Sequence, residues 1–113
     1  MTNYKLPNNY QLYCFDELES TMLTLREMVL NGAGVGTIVL AKKQNNGRGR
    51  HGREWVSPLG NLYFSFIRKA EEKKSKNVFA SVFVVSVALA RTISIISGDL
   101  IKPILKWPND VLI

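Results

Sequence analysis

The residues from Gln44 to Trp55 of this 113-residue sequence read QNNGRGRHGREW. Gly47, Gly49 and Gly52 let the backbone turn tightly and come close to a ligand, and their amides can line an anion-binding concavity. Arg48, Arg50 and Arg53, set between them, offer planar forks for phosphate or carboxylate. Such a loop can close over an anionic ligand. The same residues also suit an RGG-like nucleic-acid patch or a solvated basic loop, and the loop by itself leaves the three readings open. It is not a Walker A loop, because no Gly-Lys-Ser/Thr ends it. Nor is it a dinucleotide fingerprint, because no helical pattern follows it.

Two further clusters carry polar chemistry. Lys106-Trp107-Pro108-Asn109-Asp110 gathers a cation, an amide and a carboxylate around a proline-fixed turn. Asp110 could hold Mg²⁺ through oxygen and Lys106 could pair with a phosphate, although a plain turn explains the same residues. Glu19-Ser20-Thr21 is accounted for by a helix N-cap alone.

Fifteen Lys+Arg against nine Asp+Glu give a net charge of +6, which points to an anionic partner. The single cysteine, Cys14, excludes an internal disulfide framework and a cysteine zinc knuckle, and the single histidine, His51, excludes a multi-histidine metal site. A composition 46% hydrophobic and 21% charged is that of one folded domain. The polar first ten residues carry no secretory signal, so a reduced, cytoplasmic setting is the default.

The elements that must position these clusters follow from periodicity. Residues 10–18 read as a short strand leading into a turn, with Leu12, Cys14 and, as an alternative, Phe15 in near-alternation. Ser20 and Thr21 suit the start of a helix whose face carries Met22, Leu25, Met28 and Val29, ended by Gly32-Ala33-Gly34. Residues 37–41 (TIVLA) suggest a strand buried on both faces, residues 42–58 a loop, and 61–67 the next strand, paired antiparallel to it. A charged turn is expected at 68–76. Residues 77–97 then recur as Val78, Val82, Val85, Leu89, Ile93 and Ile96, a helix buried nearly all round on a sheet. Arg91 and interspersed serines argue against a membrane span. Gly98-Asp99 ends the helix, 101–107 extends past Pro103, and 111–113 begins a strand. The resulting β-α-β-loop-β-α-β-turn-β order is an α/β (α+β) fold with a mixed sheet covered by helices. A strand that begins at the very end of the sequence suggests an incomplete chain.

In order and spacing the three clusters resemble those of the biotin protein ligases, from about Phe15 to Ile113. The resemblance implies the class II synthetase-like biotin/lipoate ligase catalytic domain, with residues 1–113 forming its N-terminal part. The C-terminal half is then absent, and no DNA-binding domain precedes the match. It implies activation of biotin with ATP and Mg²⁺ to biotinyl-5′-AMP. Biotin then passes to a lysine of the biotin carboxyl carrier domain of acetyl-CoA carboxylase. Ser20, Thr21, Gln44, Gly47, Arg48, Gly49 and Arg50 would bind biotin and its activated carboxyl. Arg53, Trp55 and Asn109 would bind ATP, with Trp55 on the adenine. Arg50, Arg53, Lys106 and Asp110 would be catalytic, Asp110 also at the metal. No nucleic acid or membrane partner is implied; a homodimer or a complementing C-terminal half remains open. Met22 stands where the family usually has Asn and donates no hydrogen bond. The family's Lys-x-x-Gly-Ile strand is missing, which implies that this chain alone is inactive or a very weak ligase. The alternatives are a lipoate ligase or acyltransferase of the same fold, and a basic nucleic-acid-binding module.

Overall fold

The β-branched run at residues 37–41 becomes the centre of a sheet. In the computed structural model, which describes residues 5–69 and 78–113, the chain divides into two compact units, Met1–Lys69 and Ala70–Ile113. In the first unit, strand β2 (Thr37–Gln44) lies between β1 (Gln11–Leu18) and β3 (Tyr63–Phe66). It runs parallel to β1, with Phe15 opposite Ala41, and antiparallel to β3, with Ala41 opposite Tyr63. The antiparallel pairing expected across the loop is therefore present.

Helix α1 (Thr21–Leu30) packs against β2 and β3 and is the unit's only α-helix among the described residues. Thr37, Val39 and Ala41 are accordingly buried, while Ile38 and Leu40 are half-buried. The strand is sealed on one face, not on both as expected. Leu25, Val39 and Ala41 form the apolar core among the described residues. Each Leu or Val so buried contributes about 1.5–3 kcal/mol, so this unit rests on few side chains.

The buried face of α1 is also displaced from the expected one. Thr21 and Leu25 are buried and Met28 is half-buried, whereas Met22 and Val29 are exposed. One residue along a helix is a turn of 100°, which carries Met22 off the stripe set by Thr21, Leu25 and Met28. The helix stops where expected. Gly32 takes φ +96, and its N–H and that of Ala33 close on the carbonyls of Val29 and Met28, as a left-handed C-terminal residue allows. On β1 the half-buried residues are Leu12, Phe15 and Leu18; Cys14 is exposed.

The expected loop begins three residues late, because Lys42, Lys43 and Gln44 continue β2. Salt bridges to the neighbouring strand accompany that extension, Lys42 to Asp16 at 2.6 Å and Lys43 to Glu17 at 3.5 Å.

The second unit contains helix α2 (Val78–Ile96) and a two-stranded antiparallel ribbon of β4 (Ile104–Lys106) and β5 (Asp110–Leu112), with Lys106 opposite Asp110. The helix packs against both strands. Ser86 is buried, and Val82, Ala90 and Ile93 are half-buried on the same stripe. Val85, Leu89 and Ile96, expected inside, are exposed. A two-stranded ribbon covers a narrower band of a helix than a full sheet would. The helix ends at Gly98 and Asp99, both at positive φ. Among the described residues no helix is long and apolar enough to cross a membrane. The charged turn expected at 68–76 falls, from residue 70 onward, outside the described residues.

The whole is mixed α+β. Its strands form a three-stranded mixed sheet and a separate ribbon.

Candidate active site

The start of α1 and the end of β2 meet through one side chain. Ser20 has the extended backbone of an N-cap residue, yet its hydroxyl makes no capping hydrogen bond. The Thr21 N–H instead donates to Gln44 Oε1 at 2.8 Å. Gln44 Nε2 donates to Ser57 Oγ at 3.1 Å, and Ser57 Oγ donates to the Trp55 carbonyl at 3.0 Å. The Thr21 hydroxyl is 2.8 Å from that of Ser65 on β3. Ser20, Thr21 and Ser57 are all buried. Ser20 thus does not cap the helix through its hydroxyl, and the first helical N–H, that of Thr21, is met by Gln44, twenty-three residues further along the sequence. A helix N-terminus favours acceptors and anions, and this one carries a fixed amide oxygen.

Gly47 joins the same cluster. It is buried, and its carbonyl accepts the Trp55 N–H at 2.9 Å. A Cβ at Gly47 would collide with Ser57 Oγ and lie 2.5 Å from the Trp55 carbonyl oxygen. Only glycine fits between these groups. The rest of the loop folds back on itself. The Gly49 N–H donates to the Arg53 carbonyl at 2.7 Å, the backbones of Arg48 and Glu54 pair in an isolated antiparallel β-bridge, and a short 3₁₀ turn spans Arg50–Gly52. His51 and Gly52 are both in the left-handed region. The loop is therefore a structured hairpin, not a slack tether.

Lys42 and Lys43 sit against Asp16 and Glu17, and the Lys42 ammonium, by hydrogen bond first and by charge second, holds the exposed Asp16 carboxyl below its usual range. Among the described residues Arg48, Arg50 and Arg53 form no salt bridge. Arg48 reaches only the Gly52 carbonyl, at 3.5 Å. The Trp55 side chain is 61% exposed, so its ring is not an anchor in the core and one face is free to stack.

The other cluster stands in the second unit. Lys106 and Asp110 face each other across the β4–β5 ribbon, Asn109 lies in the turn between them, and all three are exposed. The Trp107 ring lies 4.7 Å from that of Phe83, centroid to centroid, which fixes the turn to α2. Among the described residues no three His, Cys, Asp or Glu side chains are grouped to hold a metal.

Residues 14–113 match the family described as the biotin/lipoate A/B protein ligase family. The chain belongs to that family. It is 38% identical over 99 residues to the bifunctional ligase/repressor BirA of Bacillus subtilis, which covers 87% of this chain and 30% of that protein. It is 39% identical over 75 residues to the biotin–[acetyl-CoA-carboxylase] ligase of Paracoccus denitrificans, 66% of this chain and 31% of that one. Among solved structures, the biotin protein ligase of Aquifex aeolicus in complex with biotin and ATP matches with a TM-score of 0.77 and 35% identity. That match covers 90% of this chain and 41% of the Aquifex chain. This member of the family thus spans about a third of the length of the curated relatives it matches.

Within that family frame, the first unit brings together Ser20, Thr21, Gln44, Gly47, Arg48, Gly49, Arg50, Arg53 and Trp55, all expected from sequence. Lys106, Asn109 and Asp110 form their own group. Sequence reading assigned no role to Ser57 or Ser65. The signal for Ser65 was present: a lone serine among the aromatic residues of the strand YFSF. For Ser57 the signal was the Ser57-Pro58 pair at the far end of the loop, which resembles the family's continuation past it.

Proposed function

We propose that this chain binds biotin and ATP and contributes to making biotinyl-5′-AMP, for transfer to a carrier-protein lysine. One observation carries the proposal. A set of donors and acceptors at Ser20, Thr21 and Gln44, the last two fixed by hydrogen bonds, runs directly into a loop whose three arginines have no carboxylate partners among the described residues. The first part suits a neutral, hydrogen-bonding ureido ring. The second suits the several negative charges that meet when a carboxylate attacks the α-phosphate of ATP. Fixed cations offset that repulsion best where water is excluded.

Arg48, Gly49 and Arg50 hold the biotin carboxylate and the phosphate it attacks, and Arg53 holds the departing phosphates. Trp55 presents its free face to the adenine. Lys106, Asn109 and Asp110 carry groups suited to a nucleotide: a cation, an amide and a carboxylate. Mg²⁺ fits this donor set as an ion carried by ATP, because it takes one or two carboxylates and otherwise keeps phosphate and water oxygens. Asp110 would supply the carboxylate, and the ion would neutralise phosphate charge. The acceptor is proposed to be the carrier domain of acetyl-CoA carboxylase, the protein named for the Paracoccus relative.

Calorimetric titration of biotin into the purified chain, with and without MgATP, tests this reading. Saturable biotin binding that tightens with nucleotide supports it. Absence of any biotin binding by a demonstrably folded chain would refute it.

A further inference from the structure

Ser57 is 3% exposed, carries no charge and is given no role by the motifs that point to the site. Its position in the hydrogen-bond chain is nevertheless restrictive. A hydroxyl has one proton to donate. The Trp55 carbonyl can only accept, so that proton is committed there. Towards Gln44 the Ser57 oxygen can therefore only accept, and it must be met by the NH₂ end of the amide. At the other end the Thr21 N–H can only donate, so it must be met by the amide oxygen. Two independent constraints thus select the same orientation of a side chain whose two ends are nearly equal in shape. A flipped amide would set donor against donor at Thr21 and oxygen against oxygen at Ser57.

Each end of the Gln44 amide still has one valence free: a second N–H on Nε2 and a second lone pair on Oε1. Their directions follow from the two bonds already made. We infer that Ser57 is a positioning residue for Gln44, holding its amide in the one orientation that presents this remaining donor and acceptor to the ligand. The inference rests on the biotin-site reading for the identity of that ligand, a cyclic urea with both N–H donors and a carbonyl acceptor. An amide free to turn would offer the urea the wrong group part of the time. Ser57 touches no ligand itself.

A double-mutant cycle on the full chain tests this, with biotin binding by calorimetry as the readout. Ser57→Ala is expected to weaken biotin about three- to tenfold, the range for one hydrogen bond. In a Gln44→Ala background the same change is expected to add less than about twofold, because the group that Ser57 positions is gone. An equal loss in both backgrounds, or no loss in the first, overturns the inference. A ligand-free readout runs beside it: the two Nε2 protons of Gln44 in a ¹⁵N-labelled sample. The proton bonded to Ser57 should lie downfield and exchange slowly with solvent in the wild type, and should move upfield and exchange faster in Ser57→Ala. Unaltered peaks would also overturn it. If the wild type takes no biotin, the biotin reading falls and the amide peaks alone decide the role of Ser57. Should Ser57→Ala fail to fold, Ser57→Cys keeps the volume with a weaker donor and acceptor, and the same shifts are expected in reduced size.

Discussion

Gly47→Ala should unfold the first unit more easily, and Gly49→Ala should not. At Gly47 the new methyl would lie 2.5 Å from the Trp55 carbonyl oxygen, 3.2 Å from Gln44 Nε2, and in collision with Ser57 Oγ. None of these can move freely. The Trp55 N–H is bonded back to Gly47, and Ser57 is tied to Gln44 and Trp55. Overpacking a well-packed site costs about 1–3 kcal/mol, and a displaced hydrogen bond about 1 more. The stiffer unfolded chain offsets only about 0.4–1 kcal/mol. The net expectation is a loss of roughly 2 kcal/mol, lowering a urea midpoint by about 1–2 M for a small domain. At Gly49 the nearest atom to a new Cβ is the Arg53 carbonyl oxygen at 3.6 Å, an ordinary contact, and φ is −88. There the entropy effect dominates and the midpoint should hold or rise slightly. Urea titration of ¹⁵N-labelled protein, followed at the Val39 and Ala41 amides, reads this unit directly. Equal midpoints for the two variants would refute the packing argument.

Arg50→Ala and Arg53→Ala should leave the urea midpoint within about 0.5 kcal/mol of wild type, since neither cation has a partner to lose, yet each should weaken MgATP by about tenfold in calorimetry. Unchanged nucleotide binding would remove these residues from the site. Trp55→Ala, with its ring mostly exposed, should likewise spare stability while lowering nucleotide affinity; a large stability loss would make it a core anchor after all. Asp16 has its carboxyl held below 3.8 by Lys42. Its contribution is therefore present above the unfolded value and lost as pH falls through the folded one. Because the pair is exposed, the effect should be small and fade with salt. Thermal melts between pH 5 and pH 2 should be slightly flatter in Asp16→Asn, and an identical slope would show the pair contributes nothing.

The motif residues were legible because their chemistry is local. A glycine-arginine alternation or a Lys-Trp-Pro-Asn-Asp turn declares its donors and acceptors in consecutive positions. The strand at residues 37–41 was legible from its β-branched run, and its antiparallel partner from the link that follows. What periodicity missed were the faces. Met22 and Val29 fit a helical stripe as well as Thr21 and Met28 do, and only the tie from Gln44 to the Thr21 N–H, with Thr21 bonded to Ser65, turns α1 the other way. Val85 and Leu89 are apolar enough to be buried, but the ribbon beside α2 covers one band of the helix. A hydropathy pattern records which residues can be buried, and the partner's width decides which are.

The two halves of the proposed first-unit site follow different physical rules, and that division would account for its composition. Thr21, Gln44, Gly47 and Ser57 are closely packed and hydrogen-bonded to one another, so their geometry is set before any ligand arrives. Arg48, Arg50, Arg53 and Trp55 are exposed and uncompensated, on a loop closed mainly by backbone hydrogen bonds. A neutral ring is recognised by direction, which requires rigid donors and acceptors. A set of phosphates is recognised by charge, which tolerates movement and gains when an anion draws the arginines in. Gly47 sits where the two meet, buried against Ser57 and Trp55 on one side and opening the arginine loop on the other. A side chain there would press on both, whereas Gly49, two residues further along the loop, leaves room for one.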